Sequence, residues 1–210
     1  MRYLKGTLHY KSFIKPIEKL ANTAATLDLQ VYVDSDWAGC STTRKSTSGV
    51  TITILGTCIL AISRTQSTLA LSSGEAEMYA VGTGSNEALY LRNFILEARL
   101  CQSLNIQIHT DSTAGKAMST RFGASRKTRH VQLRYLFMQD LVKDGVIQLR
   151  KVLGTENPAD VCTKHVSQDT LLRHLWKIGL ANTYDQIASF LGLPKLWTPK
   201  TLSLGPASGW

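Results

Sequence analysis

Aliphatic and polar residues alternate along positions 27–34, where the aliphatic members are Leu27, Leu29, Val31 and Val33. A period of two is typical of a β-strand that buries one face. The same period places Asp34 on the opposite face, where the strand ends. The pattern therefore predicts a first strand with an acidic side chain at its carboxyl end.

Two more strands are predicted in residues 49–55 and 57–63, which are rich in β-branched side chains. The two runs meet at Gly56, and glycine adopts the backbone angles that tight turns require. The pattern predicts a hairpin, and hence an antiparallel start to the sheet.

A long helix is predicted from Ser72 to about Leu100, because this stretch is rich in Ala, Leu, Glu and Met. Ser72 is suited to be the N-cap, and Glu75 completes a capping box. Glu75 and Glu77 point about 200° apart around a helix, so they cannot both enter one metal site. Since Glu75 has the capping role, we assign the functional role to Glu77. The face of Glu77 also carries small residues that permit close approach to a sheet: Ala80, Val81 and Gly84.

The later part of the chain continues the alternation of elements. The predicted elements are a strand at Ile106–Thr110, helices at 113–120 and 131–143, and a strand at Val146–Leu153. Asp111 follows the first of these strands, and a helix begun by Pro158 carries Asp160 in its first turn. Another helix is expected beyond His165, followed by a poorly ordered tail rich in Pro and Gly. The order up to the Pro158 helix is βββαβααβ.

Length and composition limit the class of protein. The chain has 210 residues, of which 43% are hydrophobic, enough for one domain of roughly 140 residues with flanking segments. Its four cysteines are widely spaced and form no Cys-x-x-Cys pair, which argues against a zinc ribbon or a disulfide scaffold. We find no signal peptide in the sequence, and no apolar run approaches the roughly 18 residues of a membrane span. Reduced thiols in an intracellular protein without membrane contact are expected.

Four acids occur where a strand ends or a helix begins: Asp34, Glu77, Asp111 and Asp160. Taken singly, Asp34 could begin a turn and Asp111 could cap a helix, and the helix dipole would favour an acid at Asp160 with or without a metal. The chain has 24 Lys and Arg against 15 Asp and Glu, a balance that favours a polyanionic partner. Together the acids indicate a carboxylate cluster for two divalent ions roughly 4 Å apart, which would cleave a phosphodiester. Oxygen ligands suit Mg²⁺ or Mn²⁺ and not zinc.

Six separated segments resemble the ribonuclease H domain of copia-type LTR retrotransposon polyproteins. They are residues 32–39 (Tyr-Val-Asp-Ser-Asp-Trp-Ala-Gly), 43–49 (Thr-Arg-Lys-Ser-Thr-Ser-Gly), 70–77 (Ala-Leu-Ser-Ser-Gly-Glu-Ala-Glu), 110–112 (Thr-Asp-Ser), 127–130 (Lys-Thr-Arg-His) and 159–164 (Ala-Asp-Val-Cys-Thr-Lys). Several segments in the right order are far more specific than any one alone. Residues 2–7 (Arg-Tyr-Leu-Lys-Gly-Thr) are similar to the family's link to reverse transcriptase.

The resemblance implies an α/β, ribonuclease H-like fold with a five-stranded mixed sheet flanked by helices. It implies an endonuclease that hydrolyses the RNA strand of RNA/DNA hybrids during reverse transcription, with the four acids as metal ligands. The implied organisation is a connector from reverse transcriptase at 1–26, a ribonuclease H-like domain at 27–168, and a C-terminal helical extension with a flexible tail at 169–210. Reverse transcriptase of the same polyprotein is the expected partner. The expected location is the cytoplasm, in a virus-like particle, or the nucleus.

The chain departs from the family pattern at a few positions. Met78 stands where a Tyr is usual after the helix glutamate, and Ala61-Ile62-Ser63 lacks the usual aromatic residue after Ile-Ser. Cellular ribonucleases H use a mobile His shortly before the last Asp of the site. Residues 151–158 of this chain contain no His, and His165 lies after Asp160. These departures remove none of the four proposed ligands.

Candidate substrate contacts come from two stretches. The stretch from 112 to 139 carries six cationic side chains and no acid, a composition suited to backbone phosphates. Hydroxyls and a guanidinium near the first strand are suited to phosphate or a 2′-hydroxyl. The assigned residues are Arg44, Ser46, Ser48, Arg126, Lys127, Arg129, His130 and Arg134. Solvated helix faces, simple turns or a packing surface for the polymerase are the alternatives.

Two other functions compete with an active nuclease. A catalytically inactive or domesticated fragment with the same fold would bind nucleic acid without turnover, although acids at all four positions favour activity. A transposase or integrase of the DDE type shares the fold and the two-metal chemistry. That class lacks the Ser-Ser-x-Glu-Ala-Glu segment that this chain carries at 72–77, so we disfavour it.

Overall fold

The computed structural model describes residues 10–12, 26–113 and 132–181. The strands in these ranges are β1 (Lys11–Ser12), β2 (Thr26–Asp36), β3 (Thr47–Ile54), β4 (Thr57–Thr65), β5 (Ser103–Thr110), β6 (Ile147–Lys151) and β7 (Leu180–Ala181). The α-helices are α1 (Ser73–Glu97), α2 (Gln132–Lys143) and α3 (Gln168–Lys177). Two 3-10 helices span Gly154–Glu156 and Pro158–Cys162.

The central sheet has five strands in the order β4-β3-β2-β5-β6. The pairs β4–β3 and β3–β2 are antiparallel, whereas β2–β5 and β5–β6 are parallel. The predicted α/β fold with a five-stranded mixed sheet flanked by helices is therefore confirmed. Since Val33 pairs with Thr110 in the parallel register, the residues that follow them, Asp34 and Asp111, lie at the same edge of the sheet.

The predicted hairpin between β3 and β4 is confirmed. Its two-residue loop is formed by Leu55 and Gly56, with φ angles of 54° and 77°. Two consecutive positive φ angles are typical of the turn whose twist matches that of paired strands. Glycine adopts such angles without strain, which explains Gly56 at this position.

Helix α1 packs against the aliphatic face of β2 and β3 through its small residues. Ala80, Val81 and Ala88 belong to the same buried core as Val31 and Val33 of β2. A Cβ atom at Gly84 would lie 2.6 Å from Val33 Cγ1. The helix therefore lies so close to the sheet here that only glycine fits. The small residues predicted to face the sheet do so.

The segment after β6 is folded against the central sheet. The helix predicted to begin at Pro158 is the Pro158–Cys162 3-10 helix, and it packs on β2 and β3. The helix predicted beyond His165 is α3, which contacts the same 3-10 helix. After α3, Ile178 accepts a backbone hydrogen bond from Cys58 at 3.0 Å, and β7 pairs antiparallel with β1. The β1–β7 pair was not predicted from the sequence.

Some predictions concern residues outside the described ranges. These are the helix at 113–120 beyond Thr113, the tail after 181, and most of the connector at 1–26. The domain boundaries at 26 and 168 stay predictions. Among the described helices, none is both long and apolar enough to cross a membrane.

Candidate metal centre

Three carboxylates from three elements converge at one edge of the sheet. Asp34 lies near the end of β2, Asp111 directly follows β5, and Glu77 lies near the start of α1. One ligand oxygen from each residue lies within 4.8 Å of the others. Carboxylate oxygens are the donors that Mg²⁺ and Ca²⁺ prefer. The structure thus brings three of the four predicted ligands to a spacing that one cation can bridge.

Glu75, by contrast, is used in the structure of the helix start. Its backbone N–H donates to Ser72 Oγ at 3.2 Å, so Ser72 is the N-cap as predicted. Its carboxylate accepts from Leu71 N at 3.0 Å and from Tyr79 Oη at 2.8 Å. The choice of Glu77 over Glu75 for the cluster agrees with this geometry.

Asp34 is almost fully buried and has two side-chain partners. It is 1% exposed. Thr163 Oγ1 donates to its Oδ2, and Lys164 Nζ donates to its Oδ1 at 3.2 Å. Burial raises the pKa of Asp34, and the two partners offset that rise only in part. Sequence reasoning did not identify Thr163 and Lys164 as site residues, although both belong to the segment 159–164 that carried the resemblance.

Asp160 lies beside the three-carboxylate cluster and is joined to it through Lys164. Lys164 Nζ lies 3.3 Å from Asp160 Oδ1 as well as 3.2 Å from Asp34 Oδ1. Burial raises the pKa of Asp160, and Lys164 opposes that rise. The i,i+4 spacing of Asp160 and Lys164 permits this ion pair.

Asn157 fixes the 3-10 helix that carries Asp160. Its side chain caps that helix, with Oδ1 accepting from Ala159 N at 3.2 Å. Its Nδ2 donates to Val33 O at 2.9 Å, and the residue has no exposed surface. The cap therefore ties the helix to the residue that precedes Asp34. The sequence does not predict this bond between Asn157 and β2.

The electrostatics of the cluster favour a cation. Burial, and then the negative charges of Asp34 and Asp111, raise the pKa of Glu77 to about 8. The Ser35 hydroxyl and the positive charge of Lys164 oppose that rise only in part. The ionised form of Glu77 is therefore disfavoured by burial and by the neighbouring carboxylates, and a divalent cation would stabilise it. The donor set fits the Mg²⁺ or Mn²⁺ predicted from the sequence.

The predicted substrate contacts near β3 differ in exposure. Arg44 is exposed and adopts a positive φ of 55°. Ser46 is fully buried and accepts from Ala38 N at 3.0 Å, and Ser48 is 2% exposed and accepts from Gln66 Nε2 at 3.0 Å. Both hydroxyls therefore stabilise the loop and strand around the site, and their contact with a substrate stays a prediction.

The other predicted contacts come from the basic stretch. Arg126, Lys127, Arg129 and His130 lie outside the described residues, and Arg134 lies in α2. Their role in binding stays a prediction. Trp37, in the segment 32–39 that carries the resemblance, is 54% exposed, and its indole donates to Ala70 O at 3.1 Å.

No family model matches the chain. The chain is 31% identical over 169 residues to the retrovirus-related Pol polyprotein from transposon TNT 1-94 of Nicotiana tabacum, a match covering 80% of this chain. It is 27% identical over 180 residues to the corresponding polyprotein from transposon RE2 of Arabidopsis thaliana, covering 86% of this chain. In both cases the chain spans 12% of the relative's length.

Solved structures similar to this chain include an N-terminal RNase H domain from Mycobacterium tuberculosis, determined as a fusion with maltose binding protein. The match has a TM-score of 0.48 and 15% identity, and it covers 65% of this chain and 91% of that one.

Proposed function

Because homologues of this chain are retrovirus-related Pol polyproteins from transposons, we propose that it is their ribonuclease H domain. In this proposal it hydrolyses the RNA strand of RNA/DNA hybrids formed during reverse transcription, in a retrotransposon of the copia type. The observation that carries the proposal is the convergence of Asp34, Glu77 and Asp111, whose ligand oxygens lie within 4.8 Å of one another.

The four acids would hold the divalent ions of the reaction. Asp34, Glu77 and Asp111 would bind one ion, and Asp160 together with Asp34 would bind the second. When bound, such a pair supplies an activated water and stabilises the leaving oxygen of an in-line displacement at phosphorus. Asn157 positions Asp160 through its bond to Val33 O, at 2.9 Å. Thr163 orients Asp34 by donating to its Oδ2.

The positive charge of the chain would bind the hybrid. A net charge of +9 favours the closely spaced phosphates of a duplex. Arg44, exposed in the loop after β2, and the basic stretch at 126–134 are the groups proposed to contact the backbone. Reverse transcriptase of the same polyprotein is the proposed partner, and the proposed location is the cytoplasm, in virus-like particles, or the nucleus.

The test is cleavage of an end-labelled RNA/DNA hybrid with Mg²⁺ by the wild-type chain and by Asp111→Asn. We expect the variant to lose cleavage by at least about a hundredfold while keeping hybrid binding, because it loses a ligand charge and keeps the basic surface. Asp28→Asn is the matched control, since Asp28 is an exposed residue of β2 bonded to Asn105. Equal cleavage by wild type and Asp111→Asn would refute the proposal.

A further inference from the structure

Lys164 lies between two of the four acids. Its ammonium is 3.2 Å from Asp34 Oδ1 and 3.3 Å from Asp160 Oδ1. The side chain of Asp34 is 1% exposed and that of Asp160 is 16% exposed, whereas that of Lys164 is 42% exposed. A cation from the chain itself therefore fills the gap between these two carboxylates and retains a path to solvent.

Asp34 is shared by two groups of side chains. With Glu77 and Asp111 it forms the cluster whose ligand oxygens lie within 4.8 Å of one another. With Asp160 it forms the pair bridged by Lys164. The first group contains three carboxylates and no bridging cation among the described residues, whereas the second already has one. The two groups are thus unequal in their readiness to take a divalent ion.

On the basis of the proposed function, we propose that Lys164 controls the second ion position by occupying it. One ion binds at Asp34, Glu77 and Asp111 while Lys164 keeps its two ion pairs. Lys164 leaves the gap between Asp34 and Asp160 when the second ion binds there, because two cations at about 3 Å from the same oxygens repel each other strongly. Its flexible four-carbon stem and partial exposure allow it to swing into solvent. The two positions consequently fill in a fixed order.

The experiment counts ions bound to the full chain in the absence of nucleic acid. Mn²⁺ is titrated into wild type, Lys164→Met and Lys164→Arg, and free Mn²⁺ is measured by electron paramagnetic resonance. We expect wild type to bind one ion well and the second weakly. We expect Lys164→Met to bind the second ion at least about tenfold more tightly, and Lys164→Arg to titrate like wild type because its charge is retained.

Lys151→Met is the matched control for the loss of one positive charge. Lys151 lies at the same edge of the sheet, at the end of β6. Its ammonium donates to the Thr113 hydroxyl at 2.5 Å and not to a carboxylate. We expect this variant to bind the second ion as wild type does. Circular dichroism melts show that each variant is folded before it is titrated.

The outcomes separate the two proposals. The role of Lys164 is refuted if wild type and Lys164→Met bind the second ion with the same affinity. It is also refuted if Lys151→Met raises the affinity for the second ion as much as Lys164→Met does. The proposed nuclease function is then still decided by hybrid cleavage. If no variant binds Mn²⁺, both the role of Lys164 and the metal centre are refuted.

Discussion

Asp34 shows how one residue depends on contacts far away in the chain. Its partners Thr163 and Lys164 are 129 and 130 residues distant. The alternation along β2 predicted which face Asp34 occupies, because that pattern is local. No local pattern identifies a partner across such a separation, so the two contacts could not be predicted.

Glu77 is a residue whose charge state depends on its surroundings. Its folded pKa of about 8 lies above the ordinary 4.5, chiefly because of burial. The folded chain therefore binds a proton more tightly here than the unfolded chain does. This contribution to stability is fully present below about pH 4.5 and is lost as the pH rises through about 8.

We predict that Glu77→Gln makes the metal-free protein more stable than wild type at pH 8.5, by on the order of 2 kcal/mol. At pH 5.5 the gain in stability should be smaller, because the carboxylate of wild type is then mostly protonated. The measurement is urea unfolding in EDTA at both pH values. Glu97→Gln, the same change at an exposed position at the end of α1, serves as control and should behave as wild type does. Equal stability of Glu77→Gln and wild type at pH 8.5 would contradict the raised pKa.

At the scale of elements, the contact between β3 and the Pro158–Cys162 helix depends on Gly49. Gly49 pairs with Asp34 in the antiparallel register. A Cβ atom there would lie 2.7 Å from Thr163 Cγ2 and 2.8 Å from Ala159 O. Absence of a side chain thus lets the turn that carries Asp160 reach the sheet. The sequence predicts β3 from its β-branched residues and the helix from Pro158, but their close approach depends on tertiary packing.

We predict that Gly49→Ala destabilises the protein by about 1–3 kcal/mol and lowers hybrid cleavage, because the turn with Asp160 must move away from Asp34. Gly82→Ala is the control, since a Cβ atom at Gly82 in α1 would meet no atom within 4 Å. That change should stabilise the helix by up to about 1 kcal/mol. Urea unfolding and the hybrid assay measure both effects, and a Gly49→Ala protein with wild-type stability and cleavage would rule out the steric role.

At the scale of the whole molecule, the centre exists because distant elements meet. The parallel pairing of β2 and β5 places Asp34 beside Asp111, and the packing of α1 adds Glu77. The convergence of these three could be predicted, since each position follows from a local pattern and a sheet edge. The β1–β7 pair could not, because two-residue strands carry no periodicity. It joins residues assigned to the connector with residues assigned to the C-terminal extension.

The most direct test of the metal centre is a crystal structure of the chain with Mn²⁺, using anomalous scattering to locate the ion. We predict an anomalous-difference peak between the carboxylate oxygens of Asp34, Glu77 and Asp111, which lie within 4.8 Å of one another. Metal–oxygen distances should be about 2.0–2.3 Å. A crystal saturated with Mn²⁺ that shows no peak among these three side chains, or shows peaks only elsewhere, would contradict the account.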